Sequence, residues 1–178
     1  MRLKNTKVKS NKQEKRVAKE IQGKTTIASG ALYIQKADVR NDMWLCECKT
    51  TEKNFYSLKE KTFDKVYYEA IKDGLRMPVM CIDLLDGKHS IAVMRYLDFV
   101  GLSLDVKAVY VGNPVPILVE KASYRFEVDK IFDDMYQSID NIETKNPFCR
   151  RQDIKFLKTG HHLVVLEWND FVNLVKDL

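Results

Sequence analysis

Two acids and an amine stand in this chain at a spacing suited to phosphodiester hydrolysis: Asp38, and nine residues later Glu47-Cys48-Lys49. Residues 43–50 read as a strand, because Trp44, Leu45, Cys46 and Cys48 are apolar and Arg40-Asn41-Asp42 before them has turn chemistry. Side chains two apart on a strand share a face, so Glu47 and Lys49 project together. A strand over 31–39 ends beside Asp38, and a hairpin would return that acid next to Glu47. Converging carboxylates suit a hard divalent cation such as Mg²⁺, which prefers oxygen and keeps several waters. A lysine two residues from the second acid can orient a water against a phosphate.

Glu-x-Lys on a strand is more often an ordinary surface ion pair, so the motif needs support from the elements around it. Thr25-Thr26-Ile27-Ala28-Ser29-Gly30-Ala31 supplies hydroxyls and a glycine where backbone can approach a phosphate. A third acid, Glu14, lies on an expected helix. Ser10-Asn11-Lys12-Gln13 reads as a capping box with Ser10 at the N-cap and Gln13 as its partner, and Gly23 as the stop. Val17, Ala18 and Ile21 form the inward stripe, and Glu14, three and four residues before the first two, shares it. Glu20, about 120° around the helix, is expected to be an ordinary exposed acid. A carboxylate on the buried side is costly unless paired or bound to metal.

With these residues in place, the chain resembles the PD-(D/E)xK nuclease superfamily. Glu14, Ser29-Gly30-Ala31, Lys36-Ala37-Asp38-Val39-Arg40 and Glu47-Cys48-Lys49-Thr50-Thr51 follow the family's order over about half of the chain, and the pattern is similar to the phage and archaeal Holliday-junction resolvases. One departure is that Ala37 stands where the family's motif has proline. The resemblance implies an α/β, restriction-endonuclease-like core with a central mixed sheet flanked by helices, and a C-terminal elaboration. It implies catalytic roles for Glu14, Ser29, Asp38, Glu47 and Lys49. It further implies Mg²⁺, with Mn²⁺ as a substitute, held by Asp38, Glu47, the Cys48 carbonyl and Glu14. The implied partner is branched DNA, a four-way junction cut by a homodimer, with Lys9, Lys12, Lys15, Arg16, Ser29, Gly30, Lys36 and Arg40 on the DNA. Two alternatives stand beside the resolvase: a non-catalytic nucleic-acid-binding module on the same scaffold, and a restriction-like or flap-cleaving endonuclease.

Charge is concentrated where this reading needs it. Residues 1–24 hold nine Lys or Arg against Glu14 and Glu20, a local balance of +7 in a chain whose net charge is +5. Such an arm gives sequence-independent, salt-sensitive affinity for a phosphate backbone. At 178 residues the length suits one domain: the basic arm and helix at 1–24, a catalytic core at 25–95 and the elaboration at 96–178. No apolar run reaches membrane-spanning length and the start is too basic for a signal peptide, so a cytoplasmic protein is expected, in the host cell if phage-encoded. The four cysteines form no CxxC pair, and Cys46 and Cys48 share one strand face as core residues. Zinc is not expected, because His161 and His162 are adjacent and His89 stands apart.

The remaining elements follow from periodicity and turn chemistry. A second helix is expected over 57–73, capped by Ser57-Leu58-Lys59-Glu60 and ended by Gly74, with Lys61 and Lys65 on its polar edge. Residues 78–84 and 89–96 form a hairpin about Asp86-Gly87. These elements imply a sheet of three to five strands. Beyond them, 96–104 is a short helix or an irregular crossing, and 106–111 and 117–128 are strands separated by a loop at 112–116. Residues 131–139 are helical, and 141–155 form a polar loop bearing Arg150-Arg151. Residues 162–168 form a strand, and Asn169 caps a final helix over 170–176.

Overall fold

Apolar side chains alternate between the two faces of the central strands, and this alternation positions the acids. The structure, a computed structural model, describes residues 2–26, 37–105, 115–119, 123–130 and 161–176. In chain order these form α1 (Arg2–Glu20), β1 (Lys24–Thr25), β2 (Val39–Arg40), β3 (Trp44–Thr50), β4 (Phe55–Lys59) and α2 (Glu60–Lys72). There follow β5 (Met77–Leu84), β6 (His89–Arg95), α3 (Tyr96–Asp105), β7 (Val115–Val119), β8 (Ser123–Glu127), β9 (His161–Glu167) and α4 (Trp168–Lys176). Seven strands make a mixed sheet in the order β1-β2-β3-β5-β6-β9-β7, while β4 and β8 form a separate ribbon. Strands β3 and β5 run parallel, joined through α2, and the other neighbours in the sheet are antiparallel.

One face of the sheet carries Cys46, Cys48, Val79, Cys81, Ala92, Met94, Val164 and Leu166, packed against Val17, Ala18 and Ile21 of α1, Phe99 of α3 and Phe171 of α4. Trp44 meets Phe171 edge-on at 5.0 Å, an aromatic geometry that adds to the area it buries. The opposite face carries Met80, Ile82, Leu84, Ile91, Val93, Leu163 and Val165 under Phe63 and Val66 of α2 and Leu58 and Phe126 of the ribbon. Because side chains alternate along β3, Glu47 and Lys49 belong to this second face. They stand on the α2 and ribbon side, while α1 covers the other.

Several local signals were overruled by tertiary pairing. Helix α1 starts at Arg2, so Ser10 is no N-cap; inside the helix its Oγ donates to Glu14 Oε1 at 3.1 Å. Ser57 is not a cap either. It lies in β4 opposite Arg125 of β8, and α2 begins at Glu60 with no side-chain cap. Asn169 sits within the first turn of α4, which starts at Trp168, whose ring packs on Phe171. The sheet has seven strands instead of three to five, since β9 and β7 of the C-terminal half extend it and β1 and β2 add two short pairings. The single strand expected over 117–128 is two, β7 in the sheet and β8 in the ribbon. Residues 96–105 are helical, and the 89–95 hairpin arm pairs with β5 around a turn where Asp86 and Gly87 both take positive φ. The strand expected at 106–111, the helix at 131–139 and the loop at 141–155 lie outside the described residues. No helix among the described residues is long and apolar enough to cross a membrane.

Candidate active site

The β2–β3 hairpin brings Asp38 to Glu47. Val39 pairs with Cys46 and Arg40 with Leu45, which sets Asp38 opposite Glu47. The turn is built by Asn41, whose Oδ1 accepts from Met43 N at 2.9 Å and Trp44 N at 2.7 Å, while its Nδ2 donates to Ile21 O of α1 at 2.7 Å. Asp38 is then fixed three times: its N–H donates to Cys46 O at 3.2 Å, its carbonyl accepts from Thr26 N–H at 3.0 Å, and Oδ2 accepts from Cys48 N–H at 2.8 Å. Ala37, just before it, is buried and has φ +70°. Proline is locked near −65°. This backbone therefore excludes proline at this position. Ala37→Pro should unfold the Asp38 approach and remove any activity, whereas Ala37→Gly should be neutral or stabilise by up to about 1 kcal/mol, since a non-glycine residue at positive φ is strained. Thermal melts of the two variants check this.

Glu47 is buried, and Lys49 Nζ donates to its Oε1 at 2.5 Å. Burial works against the Lys49 ammonium, but the charges of Glu47 and Asp38 outweigh it and its pKa is raised. Lys49 is therefore a cation at any physiological pH, suited to donating hydrogen bonds and charge and unsuited to taking a proton. Burial, together with the negative charge of Glu47, pushes the Asp38 carboxyl up to about 6. Glu14 adds a smaller repulsion at Asp38, so its charge is felt there although α1 covers the other face of the sheet. It is half-buried, as an acid on the inward stripe should be at the helix's edge.

Two neighbours of the site were not read from the sequence. Gln13, assigned to a cap, is buried, and its Nε2 donates to Lys49 O at 3.0 Å and Cys81 O at 3.2 Å. It lies four residues before Val17, and that helical spacing was the available signal. Tyr56, on β4, is half-buried and close enough to Lys49 and Glu47 for their charges to act on its hydroxyl, whose pKa burial raises. Its position in a strand was hidden by the expected helix start at Ser57.

Helix α1 is locked over the sheet by a chain of polar contacts. Trp168 Nε1 donates to Glu20 Oε2 at 2.7 Å, Arg16 Nη1 reaches the same oxygen at 3.1 Å, and Arg16 Nη2 binds Asp83 Oδ1 at 2.7 Å. Ser90 Oγ donates to that Asp83 oxygen at 2.6 Å. Glu20 is thus a half-buried structural partner, not the freely solvated acid expected on its polar face. Among the residues expected on DNA, Arg16 is held in this chain, Arg40 pairs with Asp73 at 3.1 Å, and Lys9 bridges Glu52 at 2.7 Å and Asp86 at 2.9 Å. Lys12 and Lys15 are exposed on the outer side of α1. Ser29, Gly30 and Lys36 lie outside the described residues.

The donor set around Asp38 suits Mg²⁺. Both side chains offer carboxylate oxygens to a hard dication, and burial first, with the charge of Glu47 second, raises the Asp38 carboxyl. Among the described residues, no group of three or more His, Cys, Asp and Glu side chains is placed to hold a metal. Asp38 and Glu47 supply two, which is the number Mg²⁺ commonly takes from protein. No protein-family model and no curated protein matches this chain. The functional reading therefore rests on the geometry of these side chains.

Proposed function

We propose that this chain is a Mg²⁺-dependent, structure-selective DNA endonuclease with a restriction-endonuclease-like core, acting as a homodimeric Holliday-junction resolvase. The observation that carries this reading is the cross-strand placement of Asp38 beside Glu47, with Lys49 on the Glu47 carboxylate. Asp38, Glu47 and the Cys48 carbonyl would hold the cation, with Glu14 near it, and Mn²⁺ would substitute. A bound dication supplies positive charge against the negative charge that develops on the phosphodiester. The chain's own residues do the rest. Asp38 is pre-positioned by the Cys48 N–H, so no reorganisation is needed to present its oxygens. Lys49, kept protonated by its acidic neighbours, orients the attacking water and donates to a non-bridging phosphate oxygen. Glu14 steadies a water from the helix side, its carboxylate held by Ser10.

The comparison of Glu14 with Glu20 separates chemistry from scaffold. Glu14→Gln should lower the cleavage rate about 10- to 100-fold with little change in melting temperature. Glu20→Gln should do the reverse, loosening the Arg16 and Trp168 contacts while leaving the rate of the folded enzyme close to wild type. Equal rate losses in the two variants would remove Glu14 from the site.

A four-way junction has near two-fold symmetry, and a C₂ dimer supplies two sites at a fixed separation. Incubation with four-way, flap and linear duplex DNA, in Mg²⁺ and in EDTA, tests the substrate. Symmetric paired nicks confined to the junction, with light scattering of a dimer, are expected. Equal cutting of linear duplex by a monomer would leave the hydrolysis and remove the resolvase assignment.

A further inference from the structure

The β4–β8 ribbon stands over the catalytic face and turns a second, differently built face outward. Its register pairs Phe55 with Glu127, Ser57 with Arg125 and Tyr56 with Phe126. Leu58 and Phe126 are fully buried in the core, and Tyr56 on the same side approaches Lys49 and Glu47. Alternation then sends Phe55, Ser57, Lys59, Arg125 and Glu127 outward. All but Phe55, which is half-buried, are exposed.

On this outer face the Arg125 guanidinium lies over the Phe55 ring, 3.8 Å from its centroid, with Lys53 Nζ 5.1 Å from the same centroid. Glu127 Oε1 accepts from Arg125 Nε at 2.8 Å. The guanidinium is therefore held on two sides, by the ring beneath and the carboxylate at its Nε edge, yet its side chain is 55% exposed. A flat, pre-ordered cation facing solvent is a platform on which a nucleobase can stack, because guanidinium planes and aromatic faces accept any base. Lys53 and Lys59 flank it, and at about 3.4 Å per residue Lys59 lies roughly 14 Å along the strand from Phe55, so the cations follow a line. The face thus sets three cations against one carboxylate, which fits a polyanion.

We propose that the outer face of the β4–β8 ribbon binds an unpaired DNA strand, with a base stacked on Arg125 backed by Phe55, and with Lys53 and Lys59 on the backbone phosphates. Duplex DNA offers its phosphates but not its base faces, so the platform selects a strand that has left the helix. The proposal rests on the nuclease reading for its purpose: only four residues separate β3, with Glu47 and Lys49, from β4, and a branch point supplies unstacked bases next to the bond to be cut. A cation–π brace serving stability alone would predict no effect on DNA.

The test is fluorescence anisotropy of the full chain with labelled oligothymidine and with a blunt duplex, in EDTA, across a salt series. Arg125→Gln and Phe55→Leu should each weaken oligothymidine binding roughly 5- to 100-fold, the range for loss of one stacked base, and leave duplex binding nearly unchanged. Lys53→Gln with Lys59→Gln, both exposed and unable to unfold the chain, should reduce the salt slope on oligothymidine by about 0.7 per lysine. Variants that retain the wild-type circular dichroism, affinity and slope would overturn the proposal, as would a wild-type chain that does not bind oligothymidine. Because EDTA excludes cleavage, strand binding by a chain that never cuts would remove the nuclease reading and keep this surface. Cutting by a chain whose ribbon variants bind like wild type would do the opposite.

Discussion

Asp38→Asn should abolish DNA cleavage, on the order of 10³-fold or more, and at the same time raise the melting temperature of the protein at about pH 8 without divalent ions. The two effects have one cause. Asn keeps an oxygen for the Cys48 N–H, so the hairpin stays closed, but it removes the charge that would hold the cation. The carboxyl's pKa is raised to about 6 by burial and by Glu47. For a group raised in this way, the stabilising contribution is complete below its ordinary pKa and is lost as pH rises through about 6. Above that, ionised Asp38 destabilises the fold until a cation offsets it. Mg²⁺ should therefore stabilise the wild type at about pH 8, do so much less at about pH 5 where Asp38 is protonated, and leave Asp38→Asn unmoved. Scanning fluorimetry across pH, with and without Mg²⁺, reads all of this. DNA binding by the variant should persist, since phosphate contacts elsewhere carry affinity. A variant no more stable than wild type at high pH would show that burial and Glu47 do not disfavour the ionised Asp38 carboxylate.

The second large effect is on folding. Asp83→Ala should destabilise the protein by about 3 kcal/mol, because it removes the buried carboxylate shared by Arg16 and Ser90 and leaves the Arg16 guanidinium with Glu20 alone. That figure is the lower end for broken buried pairs, since the Arg16 side chain is 34% exposed and solvent screens it. In a chain of this size it corresponds to a fall in melting temperature of roughly 6–12 °C. Arg16→Met combined with Asp83→Leu should recover part of the loss, since both charges of that pair are removed while Glu20 keeps the Trp168 Nε1 donor. The single variant should also lower activity below its melting point, because Arg16 and Gln13 hold the helix that carries Glu14. Full stability in Asp83→Ala would mean that the α1 contacts are incidental.

The candidate site was legible because it is local. Strand alternation placed Glu47 and Lys49 on one face, and Arg40-Asn41-Asp42 gave the turn that sets Asp38 opposite Glu47. The turn at Asp86-Gly87 was equally readable, since both residues adopt the positive φ that such pairs favour. Non-local pairing was not legible. Ser10 and Ser57 have the right neighbours for caps, but α1 begins earlier and β4 is claimed by β8, which local chemistry cannot reveal. Arg16 reads as one more basic residue of a charged arm; only the fold brings it to Asp83, 67 residues away. Tyr56 and the ribbon's outer face likewise depend on the β4–β8 pairing, which joins residues far apart in the chain.

The proposed chemistry is hydrolysis of DNA by Asp38, Glu47 and Lys49 with a divalent cation. Single-turnover cleavage of an end-labelled four-way junction, by wild type and by Glu47→Gln, in Mg²⁺ and in EDTA, tests it most directly. Paired nicks by the wild type are expected in Mg²⁺, none in EDTA, and none by Glu47→Gln under either condition although it still binds the junction. Cleavage by Glu47→Gln at the wild-type rate, or by the wild type in EDTA, would contradict it.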